Sequence, residues 1–251
     1  MYISTKDWLS FVDKLSKINQ TAADAVRDYV KENGFTDTDS LIGYCYRVAD
    51  YYGTASASLS ALMYDTITEL EGMFYPPAEL APNPTYSDVA KAVRGTMKTS
   101  LNPEEIGGSI GRLVKRTGQD TILFNGIRDG AEFAWIPSGD TCAFCIALAS
   151  RGWQTISKKA LKNGHAEHIH SNCDCTYMIR HSSSTNVRGY DPERYKRMYD
   201  GADGNTPKQK INAMRRTFYD ENKDEINAQK RSAYEKRQEL NSSAAEEIDV
   251  T

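Results

Sequence analysis

The 251-residue sequence predicts a mainly α-helical protein with a small β-hairpin-containing zinc-binding module, an α+β arrangement. Three observations carry this expectation. Apolar residues in the N-terminal part recur at the three-and-four spacing of a helical face. A short stretch from Ala131 changes to alternation, the pattern of a strand. Four of the five cysteines, Cys142, Cys145, Cys173 and Cys175, fall in one window.

Residues 1–74 form the predicted N-terminal helical region. Trp8, Phe11, Val12, Leu15 and Ile18 define one face of a helix over about 5–33, continued by Ala22, Ala25, Val26, Tyr29 and Val30, with Gly34 as its C-cap. Thr38-Asp39-Ser40 offers N-cap oxygens for a second helix to about Gly72, with Leu41, Tyr44, Cys45, Val48, Leu59, Leu62 and Met63 inward and Gly53 a point of interruption. Pro76, Pro77, Pro82 and Pro84 make 75–85 an extended, proline-rich linker, because proline fixes its own backbone and keeps the preceding residue out of the helical region. A helical connector over 86–130 follows as two or three shorter helices, with starts at Ser87 and at Asn102-Pro103-Glu104-Glu105, where proline and acidic side chains suit a first turn.

Within 131–182, the zinc-binding module, Phe133, Trp135 and Ile136 read as a strand that turns at Pro137-Ser138-Gly139-Asp140 into Cys142, and Tyr177 and Ile179 as the returning strand. His181 to Val187 reads as polar loop. Residues 183–240 carry charged C-terminal helices: a short one opened by Asp191-Pro192-Glu193 and a long one from Thr206-Pro207 to about Leu240. In the long one Ile211, Met214, Phe218, Ile226 and Tyr234 make a thin apolar stripe, as expected of a helix that lies across a surface or awaits a partner. Residues 241–251 read as a flexible acidic tail.

A hydrophobic content of 39% is enough for a real core, and a net charge of −3 provides no global field toward nucleic acid or anionic membrane. No stretch approaches the roughly 20 apolar residues of a membrane span, and the N-terminus lacks an apolar signal core. The expected protein is therefore soluble, without a membrane partner.

The clustering of the cysteines favours metal over a disulfide framework, which would spread pairs through a small secreted chain. Zinc takes four ligands from thiolate and imidazole, and Cys142-Ala143-Phe144-Cys145 supplies two from one tight turn. His170-Ser171-Asn172-Cys173-Asp174-Cys175 then presents three donors, one more than a tetrahedral site needs. His170 and Cys175 are the favoured pair, with Cys173 the alternative. Residues 146–172 contain few large apolar side chains, so one structural zinc ion would supply on the order of 10 kcal/mol or more that a thin core cannot. Cys45, on a helical pattern beside Tyr44 and Tyr46, reads as a small buried hydrophobe.

The expected protein is not an enzyme. Zinc deaminases place His/Cys-x-Glu before C-x-x-C, whereas His165-Ala166-Glu167 comes after it, and a surplus of ligands suits a closed site better than a catalytic one. A thioredoxin-like role needs C-x-x-C at a helix start in a βαβ setting, which the pattern does not offer. Gly107-Gly108 with Gly111 lacks the Lys-Ser/Thr of a phosphate loop. A zinc-dependent enzyme acting on nucleic acid or nucleobases, resting on His165, Glu167 and His168, is the alternative. A second alternative is a DNA-binding packaging or ejection accessory using Lys208, Lys210, Arg215, Arg216, Lys230, Arg231, Lys236 and Arg237. Asp220, Glu221, Asp224, Glu225, Glu235 and Glu239 interleave with those cations, the mark of a solvated face.

The run Trp135-Ile136-Pro137-Ser138-Gly139-Asp140-Thr141-Cys142-Ala143-Phe144-Cys145, continued by Ala149-Ser150-Arg151-Gly152 and then His170 to Cys175, resembles the phage minor head proteins related to the F protein of phage Mu. That family pairs C-x2-C with a later H-x2-C-x-C, often with an Asp just before the first cysteine, where Asp140 stands. Ser171 occupies a position where the family usually has proline. The close match spans about residues 130–180. The resemblance implies a tailed-phage or prophage protein, made in the host bacterial cytoplasm, that joins the procapsid near the portal in low copy and assists head morphogenesis. Its implied partners are portal, capsid or scaffolding protein, with contact to packaged DNA and no small-molecule substrate.

Overall fold

The computed structural model describes residues 2–138, 142–155, 175–225, 227–228 and 231. Helix α1, Thr5–Asn33, begins where the Ser4 hydroxyl accepts the Asp7 N–H at 3.0 Å. It ends at Gly34, whose φ of +69° suits glycine and whose N–H caps the Val30 carbonyl, as the sequence predicts. Helix α2, Thr38–Leu70, is capped by Asp37, one residue earlier than expected, through the Ser40 N–H at 3.0 Å.

Two expectations for α2 are overturned. Gly53 does not interrupt the helix; a β-carbon there would sit 2.7 Å from Asn83 Oδ1, so the glycine admits the segment that follows. Leu62 is 64% exposed, because the inner face near it is set by Ala57, Ser60, Ala61, Tyr64 and Ile67, and that spacing turns position 62 outward.

The 75–85 segment is extended as expected and lies along α2. The Ala78 N–H bonds Asp65 and the Asn83 amide bonds the Asp50 carbonyl and Thr54. Helix α3, Tyr86–Met97, starts from a capping box between Thr85 and Asp88 rather than from Ser87. Helix α4, Pro103–Arg128, starts at Asn102-Pro103 as predicted but runs as one 26-residue helix, where shorter ones are expected.

Glycine makes that length possible by serving contact rather than ending the helix. A β-carbon on Gly107 would meet the Ala23 carbonyl oxygen of α1 at 2.5 Å, and one on Gly118 would meet Ser56 Oγ of α2 at the same distance. Helix α4 thus packs closely on α1, α2 and α3 at once. The extended segment also binds it, with Asn125 exchanging hydrogen bonds with the Glu79 backbone and Thr121 accepting the Ala81 N–H.

Two apolar cores result. One joins α1, α2, α3 and α4 through Val26, Ile42, Val89, Ile106 and Ile110. The other joins the opposite ends of α1, α2 and α4 to a three-stranded antiparallel sheet. That sheet comprises β2 (Glu132–Ile136), β3 (Gln154–Thr155) and β4 (Thr176–Arg180), ordered β3-β2-β4 with Ala134 opposite Met178. The predicted strand and its return are therefore present. A two-residue strand β1, Tyr2–Ile3, pairs in parallel with β5, Asn186–Val187. Residues 181–187 are thus not all polar loop: the Arg188 N–H bonds the Ile3 carbonyl and Val187 is buried.

Three helices complete the described chain: α5 (Ala143–Ala149), α6 (Pro192–Asp200) and α7 (Pro207–Glu221). Asp191-Pro192 and Thr206-Pro207 open α6 and α7 as predicted. Helix α7 is broken at Asn222, whose N–H bonds the Phe218 carbonyl; residues 223–225, 227–228 and 231 are again helical, and the expected end near Leu240 lies outside the described residues. Residues 241–251 lie outside the described residues. Among those described, no helix is long and apolar enough to cross a membrane.

Candidate metal centre

The C-x-x-C pair forms the first turn of α5. Cys142 is its N-cap, in extended backbone, and its Sγ accepts the Cys145 N–H at 3.5 Å. The spacing of two residues places both thiols on a single helical turn, as the sequence implies. On the other strand, Cys175 immediately precedes β4. The last pair of the β2–β4 ladder is Ile136 with Thr176, so Cys175 stands just beyond it, where the Ser138 N–H donates to its Sγ at 3.4 Å. The chain therefore leaves β2 toward Cys142 and Cys145 from the same sheet end at which Cys175 enters β4.

The three described cysteines of the motif belong to the sheet-bearing core, Cys145 at 1% and Cys175 at 2% exposure and Cys142 half-buried against it. Trp135 meets Tyr177 edge-on at 4.6 Å in the same core. The Tyr190 hydroxyl donates to the Ala149 carbonyl at 3.0 Å and so ties down the end of α5. Burial pushes the Tyr177 hydroxyl up, with Asp120 adding to the effect. Burial also raises Tyr195 of α6, against Arg194, with Cys175 among the groups it feels.

One positioning residue has no signal in the sequence. Gln119 of α4 is buried, and its side-chain amide donates to Thr176 Oγ1 while its oxygen accepts the Tyr177 N–H at 3.0 Å. It therefore fixes the first residues of β4, directly after Cys175. A glutamine within a helical pattern reads as surface, and only the β4 register turns it inward. At the far end of the same strand Arg180 pairs with Glu132 at 2.7 Å and lies over the Trp153 ring at 4.3 Å.

His170 and Cys173 lie outside the described residues, as do Asp140, His165, Glu167 and His168. Among the described residues no group of three or more His, Cys, Asp or Glu side chains could hold a metal ion. Cys142 and Cys145 share one helical turn and Cys175 stands at the same sheet end, but the three do not form a metal-holding group, and a zinc set needs ligands from the 156–174 segment. The C-x-x-C does begin a helix, but the strands around it are antiparallel, so the βαβ setting of a dithiol oxidoreductase is absent among the described residues.

Two other residues of interest lie apart from this centre. Cys45 is fully buried in the helix-only core, where burial pushes its thiol up to about 12, as expected for an inert side chain. His181, for which the sequence names no partner, sits between the Tyr64 and Tyr75 rings, and its backbone N–H bonds Glu71 at 2.9 Å.

A family model described as VG15 protein matches residues 2–202, a span that runs from β1 through α6 and stops before α7. No curated protein and no solved structure matches the chain.

Proposed function

The chain belongs to the VG15 protein family, a viral family, and from that premise we propose that it is a minor structural protein of a tailed-phage head, seated near the portal and clasped by one structural zinc ion. The observation that carries the reading is the meeting of the two cysteine-bearing segments at one sheet end, with Cys145 and Cys175 closed into the core. The resemblance of the 135–175 motif to Mu F-like minor head proteins supports the virion role.

In this reading Cys142, Cys145 and two donors from His170, Cys173 and Cys175 hold the ion, which supplies a tetrahedral cross-link between distant parts of the chain. The remaining work is done by the protein. The β2–β4 ladder sets the spacing of the two segments, Gln119 fixes the entry to β4, and Tyr190 holds α5. A site built of buried thiols serves as a clip and leaves the outward helical faces for portal, capsid or scaffolding protein.

Metal analysis of protein purified without added metal is expected to find one zinc per chain, reduced to a small fraction in Cys142→Ser. Mass spectrometry of purified procapsids and heads of the source phage is expected to detect the chain at low copy. Absence of zinc from well-folded protein refutes the clip, and absence of the chain from both particles refutes the virion role.

A further inference from the structure

An open groove of about 750 Å³ lies between α5, α6 and α7, with Ile146, the residue after Cys145, in its wall. Met198 of α6 and Met214 and Phe218 of α7 line its apolar part, and Met198 and Phe218 are themselves 44% and 57% exposed. Asp203, Asp220 and Glu221 supply three carboxylates around it against the single cation Arg216. An apolar floor with an acidic rim selects an amphipathic segment that carries apolar anchors flanked by Lys or Arg.

The chain contains such a segment. Shortly after α7, residues 226–240 carry Ile226, Ala233, Tyr234 and Leu240 among Lys230, Arg231, Lys236 and Arg237, with Glu235 and Glu239 leaving the segment a net charge of +2. Ile226, Ala233 and Leu240 recur every seven residues, a spacing that would put them on one side of a helix formed on docking. Glu221, the last residue of α7, already lines the groove, so this segment starts at the groove's end. To enter its own groove it would have to reverse direction at once. The break after α7, at Asn222, keeps near-helical angles (φ −114°, ψ 13°), and residues 223–225, 227–228 and 231 are helical, so no reversal falls among the described residues.

We infer that residues 226–240 of one copy dock in the α5–α6–α7 groove of a second copy. Groove and segment are different surfaces, so copies join either by reciprocal exchange in a closed pair or head-to-tail in a ring or string. Because Ile146 of α5 is part of the groove, the docking rests on a folded cysteine module, but it does not depend on the virion assignment.

Sedimentation velocity of the full chain from about 1 to 200 µM, at roughly 50 and 500 mM salt, tests this. Association that grows with concentration and weakens with salt is expected, and a chain ending at Asn222 is expected to stay monomeric. A peptide of residues 223–241 should bind that shortened chain, and an Asp203→Lys/Asp220→Lys/Glu221→Lys variant should lose at least tenfold in affinity. Should the shortened chain fail to fold, Lys230→Glu/Arg231→Glu/Lys236→Glu/Arg237→Glu in the full chain takes its place, with loss of association expected. A full chain that is monomeric throughout overturns the inference, whether or not the peptide binds. Association that survives removal or charge reversal of residues 226–240 overturns it as well.

Discussion

The two cores of the molecule are stabilised by different means. In the helix-only core, α1 to α4 bury a continuous set of valines, isoleucines and alanines against one another, and Gly107 lets α4 touch the α1 backbone. In the sheet-bearing core the same helices support two five-residue strands, one two-residue strand and a seven-residue helix, none long enough to stand alone. Between the cores the bundle narrows to small residues, with Ser56 and Ser60 of α2 facing Gly118 of α4. A region built on helix–helix contact is self-sufficient, whereas one built on short strands depends on what is fastened to it.

The largest effect should therefore come from the fastening. Cys145→Ser removes a proposed zinc ligand and buries a hydroxyl in its place, and the loss of metal binding is worth on the order of 10 kcal/mol. The tryptophan fluorescence, from Trp135 and Trp153 of the module and from Trp8 packed in the same core, should move toward that of unfolded protein at temperatures where far-ultraviolet circular dichroism still reports native helix. Simultaneous loss of both signals would show that the two cores form one cooperative unit and would erase the distinction drawn between them.

The same contrast decides what could be read in the sequence. Helix α1 is legible because a long apolar stripe and a terminal glycine agree on it, although its Ser4 cap is seen only in the structure. Helix α4 was harder, since glycines that lower helix propensity are the residues that let it pack from three sides, and only its neighbours reveal that use. Strands β1 and β5 have two residues each, too few for any period, and Val187 looks like part of a loop until Ile3 is beside it. At the candidate centre the C-x-x-C turn is a local feature and reads directly. Its placement at the same sheet end as Cys175 depends on the β2–β4 register and on Gln119, which are properties of the assembled fold.

A substitution that separates α1 from α4 probes the self-sufficient half. In Gly107→Val the new β-carbon meets the Ala23 carbonyl oxygen, backbone that cannot rotate away. Overpacking of this kind costs about 3 kcal/mol. For a chain of this size that lowers Tm by roughly 6–12 °C. Gly95→Val, at a position open to space, serves as the control for helix propensity and should change Tm far less. Equal losses in the two variants would mean that α4 does not depend on close approach.

The junction between the regions offers a smaller perturbation. The Tyr64 hydroxyl donates to Asp129 at 2.8 Å, while Arg128 holds the same carboxylate through two nitrogens and reaches the Pro76 and Pro77 carbonyls. Burial favours the neutral form of Asp129, but Arg128 and Tyr64 outweigh it and hold the carboxyl below its usual range. Tyr64→Phe keeps the ring and removes one hydrogen bond to a charged group, a loss of about 1.5–3 kcal/mol. Chemical denaturation at pH 7 should show this as a lower midpoint with unchanged slope. A changed slope would mean that the junction transmits disorder from one core to the other.

The smallest effect lies at His181 in the same junction and appears only as a pH dependence. Burial holds its imidazole below the ordinary 6.5, with Glu71 and Asp129 opposing the shift. The groups around it are Glu71 and Tyr64 of α2, Tyr75 of the extended segment, and Arg128 and Asp129 at the end of α4. Because the folded protein takes up this proton less readily than the unfolded chain, the stability it contributes is complete above about pH 6.5 and is lost as the pH falls through the lower folded value. Asp129 acts in a separate window: its carboxyl is depressed, so its contribution is lost only below the carboxylate range. His181→Phe keeps a ring between Tyr64 and Tyr75 and removes the titration. The difference in unfolding free energy between wild type and this variant should therefore shift against wild type between pH 7 and pH 5, by no more than about 1 kcal/mol. Taking the difference cancels every histidine the two proteins share, including any that bind metal. A difference that stays constant across that interval would show that the folded and unfolded chains protonate His181 alike, and that the junction leaves the ring as well solvated as an open loop would.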